Sequence, residues 1–202
     1  MILLAYATEA ELAFLAPHPH VKRLATGIGP VDAAARVAAA LAGGDFTAVV
    51  NAGIAGAMRG VARVGDGVVV GEEFVELALE NGTPLALPSG IAVNDRAHSD
   101  PSIVAKLKAR DFTSVRGVTV SRVTATDTTA TRLRARGAEV ESMEGFAVLR
   151  AAELAGVPAV EVRGISNLVG DRATSEWSFA DGVRGLQRVL DATLDLLTTV
   201  AR

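Results

Sequence analysis

The sequence predicts an α/β protein whose largely parallel or mixed sheet carries helices on both faces. Two observations lead there. Short apolar runs alternate with amphipathic ones along the chain, as in repeated βα units. Half of the 202 residues are hydrophobic yet only 4% are aromatic, and this Ala- and Val-rich composition suits helices packed closely on a sheet. No internal repeat or low-complexity linker interrupts the pattern, so residues 1–202 read as one domain, a size that a single core can fill.

The elements follow in order. Residues 2–7 read as a fully buried strand, followed by a short helix from Thr8, a plausible N-cap with Glu11 three residues on. The opening MILLAYATEAEL has no basic leader, carries Glu9 and Glu11 early, and has too short an apolar run to span a bilayer. Residues 21–28 form a second strand ending in Gly27-Ile28-Gly29-Pro30. Pro30 suits the first turn of the helix VDAAARVAAALAG, which stops at Gly43-Gly44. Residues 47–51 are a buried strand running into the glycine-rich NAGIAGAMRG, read as a turn. Residues 64–76 read as strand, turn and strand. Residues 116–121 and 160–166 are two further strands, with helices before and after each. The last helix aligns Val183, Leu186, Leu190, Leu194, Leu197 and Ala201 on one stripe.

Composition excludes several function classes. A net charge of −3 without a basic run argues against nucleic acid and anionic membrane as partners. The absence of cysteine removes disulfides, thiolate metal sites and thiol nucleophiles, and a cytoplasmic location is expected. The turn at residues 27–30 lacks the third glycine of a dinucleotide fingerprint, and no Gly-Lys-Ser/Thr follows it. No metal or cofactor is expected.

In sheets of this kind ligands sit at strand ends, which directs attention to residues 8–11, 27–30, 51–56, 121–127, 140–145 and 166–177. Singly, each segment has an ordinary explanation. The glycine turn at 27–30 can cradle an anion at a helix N-terminus, but taken alone it reads first as a tight βα connection. Glu144 can serve a helix N-terminus; followed by Gly145 at a strand end, it can also reach a pair of ligand hydroxyls. Asn167 can be a turn former.

Together, ATEAEL, GIGPVDAA, NAGIAG, ESMEGFAV and VEVRGISN, in that order, resemble the purine nucleoside phosphorylase and methylthioadenosine/S-adenosylhomocysteine nucleosidase superfamily over nearly the whole chain. The resemblance implies a three-layer α/β/α sandwich whose central mixed sheet closes partly into a barrel. It also implies cleavage of the N-glycosidic bond of a purine nucleoside. Matched residue by residue, it makes Glu11 the base that activates water. Glu144 grips the ribose hydroxyls and favours an oxocarbenium-like transition state, and Met143 packs on the sugar. Gly53 and Ile54 line the turn beneath the nucleoside. Ala125 and Thr126 belong to the loop at residues 121–127, whose backbone meets the base.

Three features narrow what the resemblance implies. Adenosine-type nucleosidases carry Ser-Asp where this chain has Ser166-Asn167. An amide is a poor proton source but can donate to a 6-oxo group or N7, which favours hypoxanthine over adenine. The arginines that bring phosphate to the phosphorylases are missing from TAVVNAGIAG, and ATEAEL offers carboxylates instead, so water is preferred to phosphate as nucleophile. Finally, RGISNLVGDRATSEW, with Asn167, Gly170, Arg172 and Trp177, resembles the futalosine hydrolase branch, which releases hypoxanthine from an inosine derivative in a menaquinone route. For its carboxyphenyl tail, Trp177 and Phe179 can supply an apolar wall and Arg172 a cation; Arg96, His98 and Arg122 are rival cations. The resemblance further implies a homodimer, with the apolar stretch 83–88 reaching a neighbouring subunit. Three alternatives stay open: a methylthioadenosine/S-adenosylhomocysteine nucleosidase, a phosphorylase, and a nucleoside-binding protein without catalysis.

Overall fold

The structure, a computed structural model, describes residues 1–173 and 175–199. Its strands are β1 (Ile2–Tyr6), β2 (Val21–Ala25), β3 (Ala48–Ala57), β4 (Gly67–Val75), β5 (Arg96–His98), β6 (Thr113–Thr119), β7 (Val140–Ser142) and β8 (Ala159–Leu168). Its helices are α1 (Pro30–Ala42), α2 (Pro101–Lys108), α3 (Asp127–Ala135), α4 (Gly145–Leu154) and α5 (Phe179–Thr199), with a 3-10 turn at Glu9–Leu12. No helix among the described residues is long and apolar enough to cross a membrane.

The sheet closes on itself. β8 runs parallel to β3 and antiparallel to β4, and β3, β7, β6 and β4 pair in succession, so five strands form a ring. β1 and β2 extend the sheet beyond β3, both parallel. One apolar cluster draws Ala55 and Ala57 from β3, Val68 and Val70 from β4, Val115 from β6, Val140 from β7 and Ile165 from β8. Small and branched side chains suit the interior of so narrow a ring.

Outside the ring, alternation along the strands sends neighbouring residues to opposite layers. Leu3 and Val49 face a layer with Val37 of α1 and Leu149 of α4. Leu4, Val50 and Val162 face Ile103 of α2 and Leu186 and Leu190 of α5. The three-layer sandwich with a partly barrel-like mixed sheet is therefore the architecture of the chain. α5 approaches the sheet closely because its contact is made of glycines. A Cβ on Gly185 would lie 2.5 Å from the Asp66 carbonyl oxygen, and one on Gly182 2.8 Å from Ser166 Cβ. The stripe along α5 is wider than expected, since Gly182, Gly185, Val189 and Thr193 join Leu186, Leu190 and Leu194 in the core. Ala201 lies outside the described residues.

Two segments differ from expectation. NAGIAG is not a turn but the second half of β3, which runs on to Ala57. Its glycines look like turn signals, yet their purpose is space. A Cβ on Gly53 would meet Glu11 Oε1 at 2.9 Å and also strike the Arg163 guanidinium, and one on Gly56 would meet Asn167 Nδ2 at 3.0 Å. Residues 64–76 hold one strand rather than two. β4 has a register shift between Val70 and Glu72, before which it pairs with β8 and after which it pairs with β5. Such a bulge bends the strand and lets the ring close.

Candidate active site

A cavity of about 370 Å³ opens beside the end of β1, the middle of β3, and the C-terminal ends of β7 and β8. Its lining includes Thr8, Glu11, Ile54, Gly56, Glu141, Met143, Glu144, Ser166, Asn167, Arg172, Trp177 and Phe179.

Glu11 is 5% exposed and held on both oxygens. Oε2 accepts from the Thr8 backbone N–H at 2.9 Å and its hydroxyl at 3.0 Å, the reach-back contact its spacing predicts. Oε1 accepts from the Ile54 backbone N–H at 3.0 Å. That N–H is free because β1 stops pairing with β3 at Asn51, while β3 continues.

Glu144 is 6% exposed and stands between β7 and α4. Its Oε1 accepts from the Gly29 backbone N–H at 2.9 Å, and its Oε2 lies 4.0 Å from Arg163 Nη1. The turn at residues 27–30 therefore does cradle an anion, and the anion is this carboxylate. Gly27 and Gly29 adopt φ of 79° and 104°, which side chains rarely tolerate. Burial pushes the Glu144 pKa up, against the pull of Arg163 and the Gly29 bond.

Behind these carboxylates lies a buried group that none of the sequence motifs singles out. Arg163 is 1% exposed and bonds Glu161 Oε1 through Nε at 2.7 Å. Burial opposes its charge, but Glu161 and Glu144 more than compensate, and its pKa stays above the ordinary value. Glu73 accepts from the Thr119 hydroxyl at 2.7 Å and the Ser142 hydroxyl at 3.3 Å; burial and then Glu161 push its pKa well up. A Cβ on Gly145 would lie 2.6 Å from Glu73 Oε1 and 2.7 Å from both Glu161 oxygens. Gly145 thus makes room for two buried carboxyls. The signal was present in AVEVRGIS, where Glu161 and Arg163 share one face of an otherwise apolar strand.

Asn167 and Glu141 flank Gly56 from either side, since Gly56 pairs with Asn167 on β8 and with Glu141 on β7. Asn167 Oδ1 accepts from the Ser166 hydroxyl at 3.0 Å, and Nδ2 donates to the Leu168 carbonyl at 3.3 Å. Glu141 Oε1 accepts from the Thr124 backbone N–H at 3.0 Å and Oε2 engages the Thr124 hydroxyl; burial raises its pKa.

Of the residues singled out from sequence, Glu11, Ile54, Met143, Glu144, Asn167, Arg172 and Trp177 line this cavity. Trp177 is 60% exposed and meets Phe179 edge-on at 5.7 Å between ring centroids, so it stands at the mouth and not in the core. Gly53 lies behind Glu11. Ala125 accepts through its carbonyl from the Arg172 N–H at 3.4 Å, and Thr126 caps α3 by accepting from Thr129 N–H at 3.2 Å. Neither lines the cavity. Arg96 and His98 pair with Glu72 at the sheet edge, and Arg122 lines a separate small pocket with Glu76 and Arg132. Among Arg96, His98, Arg122 and Arg172, Arg172 alone lines the cavity.

The sequence matches the phosphorylase superfamily over residues 20–202. It is 36% identical over 174 residues to a futalosine hydrolase of Streptomyces coelicolor, covering 81% of this chain and 74% of that protein. A futalosine hydrolase of Acidothermus cellulolyticus is 36% identical over 219 positions, covering 95% and 88%. In fold, the chain is similar to a methylthioadenosine/S-adenosylhomocysteine nucleosidase of Streptococcus pneumoniae solved with a transition-state inhibitor (TM-score 0.79, 21% identity, 97% of this chain and 99% of that one). The nucleosidase of Helicobacter pylori is similar too (TM-score 0.81, 16% identity, 96% and 97%). The chain belongs to the phosphorylase superfamily and, within it, to the futalosine hydrolases, and it is an N-glycosyl hydrolase.

Proposed function

We propose that this chain hydrolyses futalosine to release hypoxanthine, with Glu11 as general base, Glu144 on the ribose and Asn167 on the base. The observation that carries the proposal is the convergence of Glu11 and Glu144 on one cavity, with the Arg163 guanidinium beside both. Two carboxylates lining one cavity favour a positively charged sugar between them.

In this scheme Glu11 takes a proton from water as its oxygen bonds to C1′ and the C1′–N9 bond breaks. Backbone and hydroxyl donors hold Glu11 in one orientation, which brings the base to the water at little further entropic cost. Glu144 accepts from the 2′- and 3′-hydroxyls, and Met143 packs on the sugar. The leaving base departs with extra electron density, which the Asn167 amide N–H meets at O6 or N7. Glu11 on the attacking side repels phosphate, which favours water. Trp177 and Phe179 face an aromatic 5′ tail, and Arg172 its carboxylate.

The solved relatives hold nucleoside-analogue inhibitors in this fold, which supports a purine nucleoside ligand here. We further infer a homodimer. Ile28, Val123 and Trp177 crowd the cavity mouth with exposed apolar surface, and Leu85 and Leu87 in the stretch 83–88 are exposed as well. The primary test is incubation with futalosine, inosine and methylthioadenosine in phosphate-free buffer, with chromatography of the base. Hypoxanthine from futalosine without added phosphate is expected; adenine release as the faster reaction, or a phosphate requirement, overturns the proposal.

A further inference from the structure

Glu141 carries no role in the scheme above, yet few residues of the cavity are so firmly arranged. It is 8% exposed and lines the cavity. Gly56 on β3 pairs with Glu141 on one side and Asn167 on the other, so a carboxyl and a carboxamide flank one glycine that offers no side chain of its own. The Thr124 backbone N–H and hydroxyl clamp the carboxyl, fixing its plane. A carboxylate has about four acceptor sites, and these bonds use two. Among the described residues Glu141 forms no ion pair; Arg172 draws on it only from a distance. A clamped, buried acid with acceptor capacity left over, beside the residue assigned to the base, is suited to a ligand N–H.

We propose that Glu141 is a specificity-determining residue that accepts the N1–H of a 6-oxopurine while Asn167 donates to its O6 or N7. This rests on the 6-oxopurine substrate proposed above and names the second half of its recognition. Hypoxanthine carries a donor at N1 and acceptors at O6 and N7. Adenine carries an acceptor at N1 and a donor at the 6-amino group. An ionised carboxylate facing N1 attracts the first and repels the lone pair of the second. A site built on such a bond rejects the base that lacks the donor, since the buried acceptor is left unmatched. Asn167 alone discriminates weakly, because a carboxamide presents both a donor and an acceptor.

The substitution Glu141→Gln separates base reading from loop anchoring. The Thr124 backbone N–H can only donate, so the amide oxygen stays with it at the Oε1 position. The NH2 then takes the Oε2 position, where the Thr124 hydroxyl turns round to accept. The clamp survives, and a donor replaces the acceptor. Binding of free hypoxanthine, adenine and 1-methylhypoxanthine, measured by calorimetry, reads the result without relying on turnover. The wild type is expected to prefer hypoxanthine and to bind the N1-methylated base at least tenfold more weakly. In Glu141→Gln the hypoxanthine-to-adenine affinity ratio is expected to fall by about ten- to a hundredfold. Thr124→Val, which loosens the clamp, is expected to weaken both bases alike. A wild type that prefers adenine overturns the 6-oxopurine substrate itself. A wild type that prefers hypoxanthine, with the ratio unmoved by Glu141→Gln, leaves that substrate standing and removes Glu141. Should Glu141→Gln fail to fold, unimpaired binding of 1-methylhypoxanthine by the wild type has the same consequence.

Discussion

Gly29 donates its backbone N–H to Glu144 Oε1 at 2.9 Å, across 115 positions of sequence. The contact joins the first βα turn to the start of α4. With φ at 104°, Gly29 adopts a conformation that any side chain strains, so backbone geometry early in the chain fixes a carboxylate coded 115 positions later. Gly29→Ala should therefore act mainly through Glu144. We expect turnover on the ribonucleoside to fall more than turnover on its 2′-deoxy analogue. Equal losses on the two substrates would disconnect the turn from the sugar.

Glu11→Gln should lower kcat by about a hundredfold to ten-thousandfold, the usual worth of a positioned base. Glu11 accepts backbone N–H bonds on both oxygens, from Ile54 and from Thr8. The NH2 of glutamine must face one of these donors, so stability should drop by about 1–3 kcal/mol as well. Single-turnover rates and thermal melts check the two effects separately, and near-normal turnover would remove Glu11 from its proposed role.

The pKa of Glu144 is raised chiefly by burial, as is that of Glu141, and that of Glu73 rises further beside Glu161. Carboxyls with raised folded-state pKa values add stability below their unfolded value near 4.5 and lose that contribution as pH rises through the folded value. On the proposed roles activity moves the other way, since the grip on the hydroxyls needs Glu144 ionised. Over the window just above 4.5, acidification should depress kcat/KM while these three groups' share of the stability grows. Glu144→Gln should shift the acid limb of the rate profile, lower the remaining activity, and reduce the pH sensitivity of the melt. An acid limb that stays in place would assign it to another group.

Asn167→Asp should move preference toward 6-aminopurines. Asp accepts from an exocyclic amine and, protonated, delivers a proton to N7. The Leu168 carbonyl that now takes the Asn167 N–H would face a carboxyl oxygen, which favours the protonated form. A mismatch of about 1–3 kcal/mol corresponds to one to two decades in the ratio of kcat/KM for inosine- and adenosine-type substrates. If that ratio holds while both activities survive, Asn167 does not read the base.

Gly145→Ala should destabilise strongly although it adds one methyl group. That methyl would sit 2.6–2.7 Å from three oxygens of Glu73 and Glu161. Overpacking costs about 1–3 kcal/mol, and here it also displaces the partners of Arg163. A melting temperature within a degree of wild type would show that the carboxyls move aside freely.

Elements whose burial is local and periodic were legible along the chain. β1, the reach from Thr8 to Glu11, α1 between Pro30 and Gly43, and α5 all lie near where the local pattern puts them, β1 through its contiguous apolar run and the others through residues three or four positions apart. The order of the motifs carried the superfamily, and with it the sandwich and its partial barrel. Other features depend on contacts that no local pattern encodes. NAGIAG continues as a strand because its glycines face Glu11, Arg163 and Asn167, which come from other elements. The ring closes because β8 finds β4, nearly a hundred residues upstream. Glu161 and Arg163 read as interruptions of an apolar strand, and become a charged support for Glu144 only when β7, α4 and the first glycine turn meet behind the cavity. A side chain's neighbours along the chain set its backbone conformation, but its charge and orientation answer to whatever the fold brings within 4 Å.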